Sequence, residues 1–123
     1  MNRKILHATS TIYNNIKFRS KLEASFAKYF DKAHIEYQYE PFKIILLPKF
    51  KYYDDTIRSW SYTPDFVLKD NIIIEAKGFC NDVWANKKKM ILKYIVDHDY
   101  NYKFHEVHSL IQLKKVLYNE GLI

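Results

Sequence analysis

Asp65, Glu75 and Lys77 are the residues whose types and spacing best fit a chemical task, in the stretches Tyr62-Thr63-Pro64-Asp65-Phe66 and Ile74-Glu75-Ala76-Lys77-Gly78. Nine residues separate the two carboxylates, enough for a short strand, a turn and a return strand that bring them together. Glu75 and Lys77 are two apart, so on a strand both side chains point to one face. Unpaired buried charge is costly, so two charges ending an apolar run need a reason. A Glu75–Lys77 ion pair closing the strand would explain Glu-x-Lys alone. Pro64-Asp65 at this distance makes a metal site the better account. Carboxylates are hard ligands suited to Mg²⁺ or Mn²⁺. One or two such ions lower the pKa of bound water and neutralise a scissile phosphate, which is the chemistry of phosphodiester hydrolysis. In this scheme Asp65 anchors or bridges the metals, and Glu75 and the Ala76 backbone carbonyl complete the coordination. Lys77 orients the attacking water or stabilises the charged transition state, and acts as a base only through its neutral form.

Several elements must position these residues. Ser20-Lys21-Leu22-Glu23 has the form of a helix capping box, and Leu22, Phe26, Phe30 and Ala33 follow at helical spacing, predicting a helix over residues 20–33. Alternation predicts a strand over 35–40, with Pro41 marking a bulge or edge before a continuation over 42–47. A turn at 53–56 and a return over 57–62 suggest a hairpin. A short strand over 66–68, turn chemistry at Lys69-Asp70-Asn71 and a β-branched central strand over 72–77 come next. A helix is expected over 82–96, a strand over 102–107, and a last helix from an N-cap at Ser109 through Tyr118, with Gly121 beyond its end. The order α-β-β-β-β-α-β-α predicts an α/β fold, a mixed β-sheet flanked by helices. One domain over 1–123 is expected, with 1–17 as an irregular basic arm.

Other residues admit two readings. Glu23 is either a capping glutamate or a third carboxylate of the site. Glu40 is either a solvated strand residue or a border of the site. Lys87, Lys88 and Lys89 form either an exposed basic helix face or a grip on phosphates. The five histidines show no metal-ligand spacing, and Cys80 reads as a buried or loop thiol without a catalytic partner. A net charge of +6 favours a polyanionic partner such as nucleic acid. A single cysteine forms no intrachain disulfide and fits a reducing cytosol. No apolar run approaches the roughly 18 residues of a membrane span, and residues 1–7 are too short and polar for a signal peptide. A cytoplasmic protein without membrane contact is expected.

These motifs resemble the PD-(D/E)XK, or restriction-endonuclease-like, nuclease superfamily, and more narrowly the phage endonuclease I family of Holliday-junction-resolving enzymes. The resemblance spans about residues 17–108 and rests on four motifs in order: Phe18-Arg19-Ser20-Lys21-Leu22-Glu23, Tyr39-Glu40-Pro41-Phe42-Lys43, Tyr62-Thr63-Pro64-Asp65-Phe66 and Glu75-Ala76-Lys77-Gly78. It implies a restriction-endonuclease-like sheet, catalytic roles for Glu23, Asp65, Glu75 and Lys77, Glu23 among the metal ligands, and two Mg²⁺ or Mn²⁺ ions. It also implies paired nicks in branched DNA, a phage-encoded enzyme acting in the bacterial host cell, and a homodimer. Arg19, Lys21 and the basic helix around Lys87 would approach the DNA backbone. The segment that intertwines the family's dimers is longer here, over 48–61, and looks like a hairpin, so folding back and domain swapping are both open. The expected activity is a metal-dependent endonuclease acting on four-way junctions. The alternatives are a duplex-nicking nuclease of the same fold and a non-catalytic DNA-binding module.

Overall fold

A computed structural model describes residues 9–123. A four-stranded sheet organises the molecule, its strands in the order β10 (Lys103–Val107), β9 (Ile72–Ala76), β8 (Phe66–Leu68) and β3 (Tyr37–Tyr39). β8 runs antiparallel to β9, β3 antiparallel to β8, and β10 parallel to β9, so the sheet is mixed and the fold is α/β. Three consecutive isoleucines can lie in β9 because both faces of the sheet are covered. Ile72 and Ile74 join Phe66, Leu68 and Val107 in one core with Phe26 and Phe30 of α1 (Lys21–Lys32) and Leu113 and Leu117 of α3 (Leu110–Asn119). Ile73 and Val67 point the other way, into a second core with Trp84, Ile91 and Ile95 of α2 (Asp82–Asp97). The two-residue side-chain period then carries Asp65, Glu75 and Lys77 to the α2 face.

Local chemistry sets the ends of these elements. The Ser20 Oγ accepts from the Glu23 N–H at 3.1 Å and caps α1. Asn81 and Ser109 cap α2 and α3 in the same way. Gly121 sits just past α3 with φ 75°, a left-handed position that suits glycine. The β8–β9 turn uses left-handed Asp70 and Asn71, at φ 63° and 58°, which short polar side chains tolerate.

Three features differ from the expectation. Residues 1–8 of the expected arm lie outside the described residues, and the rest of it is not irregular. β1 (Thr11–Tyr13) and β2 (Ile16–Phe18) form a hairpin around Asn14 and Asn15, both left-handed. Pro41 is not a bulge within one strand. The chain leaves β3 at Glu40, which has φ 48°, and enters a separate ribbon. That ribbon is a nested hairpin: β4 (Ile44–Leu47) pairs β7 (Trp60–Tyr62), and beyond them β5 (Phe50–Tyr52) pairs β6 (Asp55–Ile57). The segment thus folds back on its own chain. It leaves Ile45, Leu47, Phe50, Tyr52 and Tyr53 exposed.

Candidate active site

The β8–β9 register pairs Phe66 with Ile74, so the next position places Asp65 opposite Glu75. The Asp65 Oδ2 accepts from the Ala76 N–H at 2.8 Å, and the Asp65 N–H reaches the Glu75 Oε1 at 3.4 Å. The strand spacing read from the sequence therefore does bring these carboxylates together. Glu75 is almost wholly buried. Its Oε1 accepts from the Tyr62 hydroxyl at 2.6 Å, and its Oε2 lies 3.4 Å from the Lys77 ammonium. That ammonium also sits 4.1 Å from the centre of the Trp84 ring. Lys77 is thus oriented by a carboxylate on one side and an aromatic face on the other. The pocket around these groups has a volume of about 700 Å³ and is also lined by Glu23, Arg19, Lys21 and Lys87.

Glu23 enters from α1, on the opposite side of the strand ends. It is buried, and it does not complete a capping box. In that motif its carboxylate would reach back to the backbone of Ser20. Instead it accepts from the Ser20 hydroxyl at 2.9 Å and the Tyr39 hydroxyl at 2.8 Å. Glu40 also lines the pocket, held by the Arg19 Nε at 3.1 Å to each carboxylate oxygen, while its N–H donates to the Asp65 carbonyl at 2.9 Å.

Burial dominates the electrostatics of the three deep carboxylates, although Arg19, Lys21, Lys43, Lys77 and Lys87 also line the pocket. Burial, followed by the charges of Glu75 and Glu23, pushes the Asp65 carboxyl well above its ordinary range. Burial raises Glu75 as well, against the opposing pull of Lys77 and Tyr62. Burial raises Glu23 despite the hydroxyls of Tyr39 and Ser20. Burial and adjacent carboxylates push Tyr39 and Tyr62 upward too, which keeps both phenols neutral donors. Three raised carboxylates with hard oxygen donors fit a divalent cation of the Mg²⁺ class. The fit is open rather than closed: the donor atoms of Glu23, Asp65 and Glu75 do not come within 4.8 Å of one another as a set of three.

The basic residues divide. Lys87 is half-buried in the pocket wall, and burial lowers its pKa. Lys21 and Lys89 are exposed, whereas Lys88 forms an ion pair with Glu106 at 2.9 Å. The lysine run is therefore not one uniform face. Sequence reasoning missed the roles of Tyr39, Tyr62 and Trp84. Tyr39 and Tyr62 are the first residues of two motifs already singled out, so their positions were a signal. Trp84 had none, because it meets Lys77 only through the packing of α2 on the sheet.

The family model described as phage endonuclease I matches residues 5–116. No curated protein and no solved structure matches the chain. The match covers the pocket, its four carboxylates and Lys77, and most of the chain: the protein belongs to the phage endonuclease I family and is an endonuclease.

Proposed function

We propose that this endonuclease is a divalent-metal-dependent enzyme that hydrolyses phosphodiester bonds in branched DNA, four-way junctions above all. The observation that carries this reading is the placement of Asp65, Glu75 and Lys77 at one strand end, with both carboxyls raised by burial and the lysine held beside Glu75. Asp65, Glu75, Glu23 and the Ala76 carbonyl are the groups that would hold Mg²⁺ or Mn²⁺, two ions per site. When bound, the metal supplies Lewis acidity and neutralises charge on the scissile phosphate. Tyr62 and Tyr39 keep Glu75 and Glu23 fixed by donating to them. Lys77 donates to the attacking water or to a phosphate oxygen, and Trp84 keeps its ammonium aimed into the pocket. Arg19, Lys21, Lys87 and Lys89 approach the DNA backbone, where phosphate contacts position the substrate.

In this reading the chain is one nuclease domain with a restriction-endonuclease-like sheet, phage-encoded and at work in the host cytoplasm. It acts as a homodimer, because resolving a junction takes two symmetry-related nicks. The apolar nested hairpin is the docking element, and each chain keeps its own Glu23 beside its own Asp65. Among the described residues, no helix is long and apolar enough to cross a membrane.

A second reading is favoured by the same hairpin. Because it folds back, one chain lines the whole pocket and would suffice for nicking ordinary duplex DNA. Incubation with junction, nicked, linear and supercoiled DNA, with Mg²⁺ or with EDTA, tests both. Paired cuts in the junction support resolution, single nicks in every duplex support the second reading, and cleavage in EDTA overturns metal dependence.

A further inference from the structure

A second cluster of donor atoms lies beside the pocket, at the far end of the Lys77 segment. Cys80, in the exposed loop after β9, comes next to Glu106 and His108 at the end of β10, and one atom of each lies within 4.8 Å of the others. The His108 Nδ1 is 2.6 Å from the Lys77 carbonyl. A carbonyl only accepts, so Nδ1 carries the hydrogen of that bond. A neutral imidazole in this tautomer presents a lone pair at Nε2, and Nε2 lies 2.6 Å from the Glu106 Oε2. Two lone pairs cannot face each other at that distance without a cation between them, either a second proton or a metal ion. The Cys80 Sγ, 3.8 Å from the same Oε2, is a third donor on that point.

We propose that Cys80, Glu106 and His108 form a Zn²⁺ site, separate from the carboxylate pocket. Thiolate, imidazole and carboxylate together are a borderline-soft set that suits zinc over Mg²⁺. Zinc bonds of about 2.0–2.3 Å in tetrahedral geometry set ligand atoms about 3.4–3.6 Å apart. The Sγ–Oε2 distance is already close to that. The Nε2–Oε2 distance widens by a small rotation of the exposed His108 side chain. The bond from Nδ1 to a backbone carbonyl is the outer support that orients a zinc-bound histidine. A water takes the fourth position. The ion fastens the loop over residues 78–81 to β10, and through His108 it fixes the carbonyl of Lys77.

The sequence contains one cysteine, so thiol chemistry reads this site alone. The full chain, stripped with chelator, is titrated with Zn²⁺ by calorimetry, and its alkylation by iodoacetamide is timed with and without one equivalent of Zn²⁺. We expect one tight Zn²⁺ per chain, slowed alkylation, and a sulfur-to-metal absorption band with Co²⁺. Cys80→Ser should weaken Zn²⁺ binding by at least about 100-fold, the upper end of what losing an outer-shell support alone costs. His108→Gln, checked for folding by circular dichroism, should weaken it comparably if Cys80→Ser does not fold. The double variant Asp65→Asn/Glu75→Gln should keep the zinc site, which separates this proposal from the nuclease reading. Wild-type zinc affinity in Cys80→Ser or in a folded His108→Gln, alkylation indifferent to zinc, or loss of the zinc only in Asp65→Asn/Glu75→Gln would each overturn it.

Discussion

Replacing Asp65 by asparagine should make the metal-free protein more stable while abolishing its activity. Asp65 faces Glu75 across the β8–β9 ladder, and no described cation sits between them except Lys77, which lies beside Glu75. Directly opposed residues hold their Cβ atoms about 5 Å apart; with the carboxylates taken at the same separation, their repulsion at an effective dielectric of about 20 is about 3 kcal/mol. Lys77 offsets part of it. The amide oxygen of the variant still accepts from the Ala76 N–H, but loses the charge that strengthens the bond, at about 1 kcal/mol. The net gain is about 1–2 kcal/mol, or roughly 3–8 °C in melting temperature for a domain of this size. The pH dependence has a definite sign. Because the folded-state pKa of Asp65 is raised, its contribution is fully present below the ordinary carboxylate value of about 4 and is lost as pH rises through the raised value. The metal-free wild type should therefore weaken as pH rises above about 4, and the variant should weaken less. Scanning calorimetry across that range, with EDTA and with Mg²⁺, measures all of this. Mg²⁺ should stabilise the wild type and leave the variant nearly unchanged. A lower melting temperature for the metal-free variant, or a wild type indifferent to Mg²⁺, would refute the electrostatic argument.

Glu23→Gln keeps acceptor and donor atoms for Tyr39 and Ser20, so stability should change by under about 1 kcal/mol, the scale of a helix cap, while nicking falls by orders of magnitude; persistent activity with lost stability would assign Glu23 to capping alone. Lys77→Ala should remove cleavage with little effect on Mg²⁺ binding, and Lys77→Arg should not restore it fully, because a guanidinium differs in shape and does not release a proton near neutral pH; full activity in Lys77→Arg would reduce the role of Lys77 to its charge. If the chain dimerises through the exposed hairpin as proposed, Phe50→Asp with Tyr52→Asp should give a monomer by light scattering, with paired junction cuts giving way to single nicks; a dimeric mass in the variant would remove the hairpin from the interface. Heterodimers co-refolded from Glu23→Gln and Asp65→Asn chains should be inactive, since each folded-back chain completes its own pocket; recovered nicking would show a swapped site.

The readable part of the fold was the part governed by local chemistry. Ser20 acts through its side-chain oxygen and Gly121 through its left-handed backbone, whereas the left-handed Asn14-Asn15 turn was overlooked because it lacks the glycine that usually marks a two-residue hairpin. The three isoleucines of β9 were legible as a strand covered on both faces, and the two-residue period then fixed the common face of Glu75 and Lys77. Glu23 was ambiguous because a capping glutamate and a pocket glutamate occupy the same helical position. Only the side-chain partners Tyr39 and Ser20 show that its carboxylate turned away from the cap. Pro41 misled because a proline that ends one strand and a proline that interrupts one look alike in sequence. The Cys80, Glu106 and His108 cluster left no trace in spacing, since 25 residues, the whole of α2 among them, separate its cysteine from its glutamate.

The parallel pairing of β9 with β10 imposes an order of assembly. Asp65 and Glu75 meet through a hairpin with nine residues between them, a contact that closes locally. The backbone of Lys77 is fixed only when its N–H finds the Val107 carbonyl at 3.0 Å, and its carbonyl finds His108, thirty-one residues on. That closure has to wait for α2 to form and cross over the sheet. A folding chain therefore gains its paired acids before it gains a held lysine. If Lys77 directs the attacking water as proposed, a chain in which β10 has not yet docked beside β9 would pair its acids without being able to cleave.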